Sequence, residues 1–243
     1  MAEHIEGRNA VLEALRSGLR LERVTFASGL KAHPSLDEIR RRATEAGVRV
    51  EEVPRQELDR LSVRGAHQGV IALTEPFRYA QLDAVIHAVR NPARSLVVVL
   101  DHVTDPGNLG AVIRSAEVAG AHAVIIPRER AAQVGPVVHK ASAGATAHLP
   151  IVQVSNIVQA LEVLKAAGYW VAGADENGEA GLWEAPLEGR LALVLGAEGS
   201  GLARLTRERC DFLVSIPVAG WVGSLNVAQA ATVLAFEWVR RGL

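Results

Sequence analysis

Hydrophobic residues follow helical and strand-like spacings in turn over the first 75 residues of the chain. The pattern predicts helices over 7–18, 35–46 and 56–61, and strands over 23–27, 48–50 and 69–73. Strands that alternate with helices are typical of a small layered α/β unit, in which each helix packs its apolar face on the sheet.

Uninterrupted apolar runs replace this pattern from Ser95 onward. The runs occupy residues 96–100, 123–126, 151–154, 169–172, 191–195 and 212–216. Central strands of a parallel sheet need such runs because helices cover both of their faces. Since helical segments separate most of the runs, we expect a second, mostly parallel α/β sheet of about six strands.

The interval between these two regions has a weaker pattern, with one short helix predicted near Leu82 and Val89. We therefore divide the chain into a first domain of residues 1–76, a linker of residues 77–94 and a second domain of residues 95–243. With 49% hydrophobic and 22% charged residues, the chain can bury a core in both domains.

Composition also indicates the cellular compartment in which we expect the protein. No apolar stretch reaches the length of a membrane span, and the polar start of the chain does not resemble a secretory leader. The single cysteine, Cys210, cannot form an internal disulfide, so we expect a cytoplasmic protein. The formal charge of -1 gives no argument for nucleic acid as a partner.

Three segments that follow apolar runs are rich in Gly, Asn, Asp and Pro. They are candidate ligand sites, because ligands of open parallel sheets lie beyond the carboxyl ends of the strands. In the first, residues 105–108 are typical of a turn whose Asn108 caps the following helix. Arg114 lies in the first two turns of that helix and could pair with a phosphate. A solvated or salt-bridged arginine is the alternative.

The other two segments are residues 196–201 and 216–226. Three glycines in the former allow close backbone approach to a ligand. Their spacing, G-x-x-G-x-G, reverses the dinucleotide fingerprint and follows the fifth predicted strand, which disfavours an NAD-dependent oxidoreductase. The latter opens a helix expected to run to about Arg240, which Ser224 or Asn226 could cap.

Other chemistries have less support. The histidines show no metal-ligand spacing and one cysteine cannot anchor zinc, so we expect no metal. The four tryptophans are scattered and aromatic residues make up 4% of the chain, so we expect no stacking platform for single-stranded RNA. Asp101 and Glu198 could form an acid–base pair, but no nucleophile accompanies them.

Taken together and in order, the three segments resemble the motifs of the SpoU family of RNA ribose 2'-O-methyltransferases, the α/β-knot enzymes. The matching residues are Asp105, Pro106, Asn108, Leu109, Gly110 and Arg114, then Leu195, Gly196, Glu198, Gly199, Gly201 and Leu202, then Ile216, Pro217, Gly220, Ser224, Leu225, Asn226 and Val227. Residues 7–11 and 67–70 are similar to the RNA-binding extension, like ribosomal protein L30e, of one branch. That branch methylates a guanosine in the P loop of 23S ribosomal RNA, and the resemblance covers nearly the whole chain.

The resemblance implies an α/β fold with a carboxyl-terminal domain tied in a deep trefoil knot and a small amino-terminal domain like ribosomal protein L30e. It implies S-adenosylmethionine as the cofactor and a homodimer formed through the knotted domain. The implied cofactor-binding residues are Ala174, Gly196, Gly201, Ile216, Leu225 and Asn226. The implied catalytic residues are Arg114, Asn108, Glu198, Ser224 and Asn226, and the implied RNA contacts are Arg8, Asn9 and Arg114.

By similarity, Arg114 acts at the ribose 2'-hydroxyl. A guanidinium group, with a pKa above about 12, is a poor general base, so we expect Arg114 to stabilise the developing alkoxide and to position a phosphate. The sequence departs from the family at Ala228, where a serine is common, and we expect this to leave activity intact.

Two alternatives stay open. One is a transfer-RNA ribose 2'-O-methyltransferase of the same family, which the long amino-terminal domain disfavours. The other is a non-catalytic RNA-binding assembly factor that keeps the fold, which the presence of Arg114 and Asn226 disfavours.

Overall fold

The computed structural model describes residues 4–63, 65–89, 91 and 93–243, and the chain forms two compact units. The first unit contains the residues up to Arg78 together with Val134–Lys140, and the second contains Tyr79–Gln133 and Ala141–Leu243. The first three residues and Arg64 of the predicted domain 1–76, and Arg90 and Pro92 of the predicted linker, lie outside the described residues. Among those described, no helix combines the length and the apolar character that crossing a membrane requires.

The first unit is a four-stranded sheet with helices on both faces. Its main elements are β1 (His4–Glu6), α1 (Arg8–Arg16), β2 (Leu21–Ala27), α2 (Pro34–Glu45), β3 (Arg49–Val53), α3 (Arg55–Leu61) and β4 (Val70–Thr74). The strand order is β1-β4-β2-β3, with β4 antiparallel to both of its neighbours and β2 parallel to β3. All six elements predicted from the spacing are confirmed, with ends shifted by a few residues.

Two apolar clusters separate the layers of this unit. Val11 of α1 and Ile39 of α2 pack with Phe26 of β2 on one face of the sheet. On the other face, Leu58 of α3 packs on Ala27, the next residue of β2. Because successive side chains of a strand point to opposite faces, these adjacent residues of β2 anchor different layers.

The second unit is a parallel sheet of seven strands. Its elements are α4 (Leu82–His87), β5 (Ser95–Asp101), α5 (Pro106–Val118), β6 (Ala123–Pro127), a 3-10 turn (Ala145–Ala147), β7 (Ile151–Val154), α7 (Ile157–Ala166), β8 (Trp170–Ala174), β9 (Ala180–Gly181), β10 (Arg190–Gly196), α8 (Arg204–Arg209), β11 (Phe212–Ser215) and α9 (Val227–Arg240). Helix α6 (Pro136–Ala141) belongs to the first unit except for its last residue, Ala141, which belongs to the second. The order is β7-β6-β5-β10-β8-β11-β9 and every pairing is parallel. The six predicted strands are confirmed, and β9 is a seventh that the sequence did not predict.

Alternation along the central strands divides the core of this unit between two faces. Val97 and Val99 of β5 join an apolar cluster with residues of α4 and α7. Val98 of the same strand is equally buried and points to the other face. Helices α5 and α9 pack on each other, α5 also contacts β6, and α9 contacts β10. A hydrogen bond between the hydroxyls of Ser115 and Thr232, 2.7 Å apart, joins the two helices.

The chain path at one edge of the sheet is unusual. Strand β11 lies between β8 and β9, although it follows both in sequence. The segment that joins β8 to β9 therefore passes across β11. At Gly178 this segment is so close that a Cβ atom would lie 2.7 Å from the carbonyl carbon of Val214. Only glycine fits this crossing without displacing backbone.

The stretch predicted as a linker, 77–94, carries ordered elements of the second unit. Ala80 forms a β-bridge with Val152, and Val85 of α4 is buried in the core that includes β5 and β6. The short helix predicted there is confirmed. Its burial means that the second unit begins near Tyr79 rather than at Ser95. The sequence pattern was weak because α4 is only six residues long.

The carboxyl end of α9 is held by charged side chains. The guanidinium of Arg94 donates to the carbonyl oxygens of Trp238 and Val239, at 2.6 and 3.1 Å, and lies over the Trp238 ring. Glu237, 6% exposed, accepts hydrogen bonds from Arg240 and Arg241. Hydrogen bonding to Arg240, and then to Arg241, lowers the pKa of Glu237 from 4.5 to about 2.

Replacing Glu237 with glutamine should lower the free energy of unfolding at pH 7 by about 2 kcal/mol, because charged hydrogen bonds to two arginines are lost. The folded-state pKa lies below the unfolded one, so the stabilisation is present above about pH 5 and disappears as the pH falls towards 2. Urea denaturation at pH 7 and pH 3 measures both effects. Glu208→Gln, in an exposed pair with Arg204, is the matched control and should change stability by less than about 0.5 kcal/mol. An equal effect of both variants would contradict this role for Glu237.

Candidate functional site

A pocket of about 570 Å³ lies at the carboxyl ends of β8, β10 and β11. Parallel strands end at the same edge of a sheet, so the segments that follow them converge there. The pocket is lined by all six residues that the sequence resemblance assigns to the cofactor, namely Ala174, Gly196, Gly201, Ile216, Leu225 and Asn226. Three of the five predicted catalytic residues, Glu198, Ser224 and Asn226, are among the lining residues.

The glycine-rich segment after β10 folds back on itself at one wall of the pocket. Ala197 and Gly201 exchange two backbone hydrogen bonds, of 3.1 and 2.9 Å. A Cβ atom on Gly196 would lie 2.1 Å from the carbonyl carbon of Gly201, which no side chain can tolerate. Asp101, which is buried at the end of β5, accepts a 2.8 Å hydrogen bond from the backbone N–H of Ala203. The loop is therefore held at both of its ends.

Three polar side chains from the three motif segments form one hydrogen-bonded group. Asn226 Nδ2 donates to Asn108 Oδ1 at 2.9 Å and also to Glu198 Oε1. Asn108 Nδ2 donates to the same Glu198 oxygen at 3.1 Å. Two amide groups thus fix one oxygen of the Glu198 carboxylate in place at the pocket wall. We refer to Asn108, Glu198 and Asn226 as the amide–carboxylate group.

The helix that carries Asn108 is capped by a different residue from the one the sequence predicted. Asp105 is the N-cap of α5, and its Oδ1 accepts from the backbone N–H of Asn108 at 2.7 Å. The prediction that Asn108 caps the helix was wrong. Pro106 occupies the first turn, where a proline is well tolerated, so the helix begins earlier than expected. The Asn108 side chain is consequently available for Glu198 and Asn226.

Asn226 caps α9 and belongs to the amide–carboxylate group at the same time. Its Oδ1 accepts from the backbone N–H of Ala228 at 2.9 Å, which leaves Nδ2 directed at Asn108 and Glu198. Of the two caps considered from sequence, Asn226 is the one used. Ala228 takes part through its backbone, and its side chain is buried. A serine hydroxyl at this position is not needed for the cap.

Replacing Asn226 with aspartate should keep the cap but remove the Nδ2 donor and place a second carboxylate against Glu198. We expect the free energy of unfolding at pH 7 to fall by about 2 kcal/mol, measured by urea denaturation. Asn156→Asp is the matched control, because Asn156 caps α7 by accepting from Gln159 N–H. Asp is as good a cap as Asn, so the control should stay within about 0.5 kcal/mol. Equal stability of both variants would show that the Nδ2 contacts contribute little.

Arg114 and the predicted RNA contacts lie outside this pocket. The Arg114 side chain is exposed on α5, and no hydrogen bond or ion pair joins it to another described residue. Arg114 does not line the pocket. Asn108 does not line it either, but its side chain is hydrogen-bonded to Glu198 and Asn226, which do. Arg8 and Asn9 line a separate pocket of about 540 Å³ within the first unit, together with polar side chains that include Arg55 and Gln68.

Sequence reasoning missed an ion pair at the pocket. Asp175 and Arg207 both line it, and Arg207 Nε lies 3.3 Å from Asp175 Oδ2. Asp175 follows β8 directly, so its position after an apolar run was a usable signal. Arg207 carried no such signal, because it lies in α8, and a contact between segments so far apart in sequence cannot be read from local spacing.

Two other side chains considered from the sequence, Asp101 and Cys210, are not available for catalysis. Asp101 is engaged by Ala203 and His102, so it does not pair with Glu198. Burial raises the pKa of the Cys210 thiol to about 12, which keeps it unreactive at neutral pH. In the part of the chain that the structure describes, no cluster of three His, Cys, Asp or Glu side chains could hold a metal ion.

Family models and known proteins show what the chain is similar to. The model of the SpoU rRNA methylase family matches residues 95–236, and a model of RNA 2'-O ribose methyltransferase substrate binding matches residues 4–80. A Staphylococcus haemolyticus protein assigned to the TrmH family of tRNA/rRNA methyltransferases is 38% identical, over 98% of this chain and 95% of its own.

Two solved structures are similar over both units. The SpoU methyltransferase AviRb from Streptomyces viridochromogenes, in complex with the cofactor AdoMet, has a TM-score of 0.72 and 30% identity, covering 99% of this chain and 90% of its own. An AdoMet-bound rRNA methyltransferase from Sinorhizobium meliloti has a TM-score of 0.69 and 27% identity, covering 100% of this chain and 88% of its own.

Proposed function

The chain belongs to the SpoU family of RNA methyltransferases, and from this premise we propose that it methylates the 2'-oxygen of a guanosine ribose in the P loop of 23S ribosomal RNA. S-adenosylmethionine is the methyl donor of this family. The observation that carries the proposal is that two of the three motif segments line one pocket at the carboxyl edge of the sheet, and that the first segment joins them through the hydrogen bonds of Asn108 with Glu198 and Asn226.

The pocket fits S-adenosylmethionine in size and in chemistry. Its volume of about 570 Å³ lies within the range of about 300–1,000 Å³ typical of small-molecule sites. Gly196 and Gly201 bring bare backbone to its wall, and Asp175 and Glu198 provide acceptors for hydroxyl and amino groups. When bound, the cofactor supplies an electrophilic methyl group on a sulfonium, so no metal is required.

The side chains of this chain orient the reactants and stabilise the charge that develops on the ribose 2'-oxygen. The amide–carboxylate group holds Glu198 rigidly at the pocket, which preorganises the site before RNA arrives. Arg114, whose guanidinium is not engaged by other described residues, stabilises the negative charge that develops on the ribose 2'-oxygen and positions a neighbouring phosphate.

We extend the proposal to the chain path and the assembly. The crossing of β11 by the segment around Gly178 supports a deep trefoil knot. The first unit, a four-stranded sheet between helices, is consistent with a domain like ribosomal protein L30e. Helices α5 and α9 expose Val118 and Phe236, at 63% and 43%, which supports a homodimer through the second unit.

Ribosomal RNA is the preferred substrate because the Sinorhizobium meliloti rRNA methyltransferase is similar over both units, including the first one. Transfer RNA is the second candidate, since the Staphylococcus haemolyticus relative bears a tRNA/rRNA name. The complete amide–carboxylate group disfavours a non-catalytic assembly factor. We expect the enzyme to act in the cytoplasm, where ribosomal RNA is processed.

Mapping of 2'-O-methyl groups on ribosomal and transfer RNA, from cells with and without this protein, tests the proposal. We expect one mark on a P-loop guanosine of 23S RNA to depend on the protein. A mark that appears only on transfer RNA would contradict the substrate, and no protein-dependent mark on either RNA would favour an assembly factor. Calorimetry should show binding of S-adenosylmethionine and not of NAD.

A further inference from the structure

The loop between β11 and α9 carries a fully exposed tryptophan. Trp221 has 105% relative exposure, and Val222 beside it has 76%. No hydrogen bond joins the Trp221 indole to another described residue. Residues 217–225 contain no charged side chain. Val218 and Leu225 of the same loop are exposed as well, at 46% and 42%, and a cluster of exposed apolar side chains, unlike a single one, marks a surface that contacts another molecule.

The position of this loop relates Trp221 to the proposed active site. Val218 on one side of it, and Gly223 and Ser224 on the other, all line the cofactor pocket. Trp221 itself does not line the pocket. The indole is therefore carried by a loop whose two arms form part of the pocket wall.

We propose that Trp221 stacks on a base of the RNA substrate next to the ribose that is methylated, an inference that rests on the proposed function. Every nucleobase has a π-face, and a solvated indole offers a matching surface. The uncharged loop places no carboxylate near the RNA phosphates. Trp221 is thus an RNA-binding residue outside the cofactor pocket and the amide–carboxylate group.

A base accounts for this side chain better than a second copy of the chain does. A buried tryptophan contributes about 150–250 Å², which is only part of the roughly 800 Å² that a stable dimer takes from each partner, so Trp221 alone does not make a dimer interface. The apolar surface that supports a dimer lies on α5 and α9 instead. The four tryptophans form no continuous platform for single-stranded RNA, but Trp221 alone offers a stacking surface for one base.

The test compares Trp221→Ala, Trp221→Leu and Trp221→Phe in the full chain. Dissociation constants are measured for transcripts of the 23S P-loop hairpin and of a transfer RNA. We expect Ala and Leu to weaken RNA binding about tenfold and Phe to stay within about threefold, because Leu keeps the apolar area but lacks the aromatic face. Trp170→Leu is the matched control. Trp170 is 61% exposed at the amino end of β8, away from the pocket, and its loss should change RNA affinity less than twofold.

Two further readouts separate the possible occupants. Affinity for S-adenosylmethionine should be unchanged in all variants, since the indole does not line the pocket. The molar mass from light scattering should also be unchanged. If Leu binds RNA as tightly as the wild type, or if Ala halves the molar mass, stacking on a base is wrong. If the wild-type chain binds RNA but transfers no methyl group, the proposed function fails, while the RNA affinities still decide the role of Trp221.

Discussion

Gly196→Ala should abolish measurable binding of S-adenosylmethionine while the chain stays folded. The added methyl group would lie 2.1 Å from the carbonyl carbon and 2.2 Å from the carbonyl oxygen of Gly201. These are backbone atoms, which cannot turn away as a flexible side chain can. The loop that joins the two residues must shift, and it forms one wall of the pocket. The shifted wall no longer presents its backbone groups at hydrogen-bond distance from the cofactor, and calorimetry should detect no binding.

Gly223→Ala is the control for this variant. Gly223 also lines the pocket, but a Cβ there meets no atom within 4 Å and its φ is not positive. We expect its affinity for the cofactor to stay within about threefold of the wild type. Circular dichroism and thermal unfolding establish that both variants are folded. Wild-type affinity in Gly196→Ala would mean that the glycine-rich loop is not the cofactor cradle.

The fold was largely predictable because each buried strand carries its own local signal. The run at 96–100 became β5, and the run at 191–195 became β10, since central parallel strands are apolar on both faces. Strand β9 was missed because two residues carry no period. The placement of β11 between β8 and β9 was also beyond local pattern, because pairing order is decided by contacts between distant segments.

The site was predictable only as far as the motifs resemble a family. Asn108, Glu198 and Asn226 are separated by 90 and 28 residues, so no spacing rule brings them together. The direction of each amide depends on a cap: Asp105 frees the side chain of Asn108, and the Ala228 N–H orients that of Asn226. Trp221 could not be recognised from sequence, because exposure is a property of the folded loop.

Arg114→Ala should reduce methyl transfer by about 100-fold or more, in proportion to the loss of one charge-stabilising donor, which is worth about 3 kcal/mol in the transition state. Affinity for the cofactor should be unchanged, because Arg114 does not line the pocket. Stability should be unchanged too, because the side chain is exposed and makes no hydrogen bond or ion pair with other described residues. Single-turnover rates with saturating RNA isolate the chemical step from RNA binding.

Arg114→Lys distinguishes charge from geometry. Lysine keeps the positive charge but cannot form the two parallel hydrogen bonds that a guanidinium offers to a phosphate. We therefore expect a rate between those of alanine and the wild type, about tenfold below the latter. Arg204→Ala, an exposed arginine whose partner is Glu208, controls for general loss of positive charge and should leave the rate unchanged. A nearly full single-turnover rate in Arg114→Lys would make the bidentate geometry irrelevant, and a full rate in Arg114→Ala would remove Arg114 from the catalytic residues altogether.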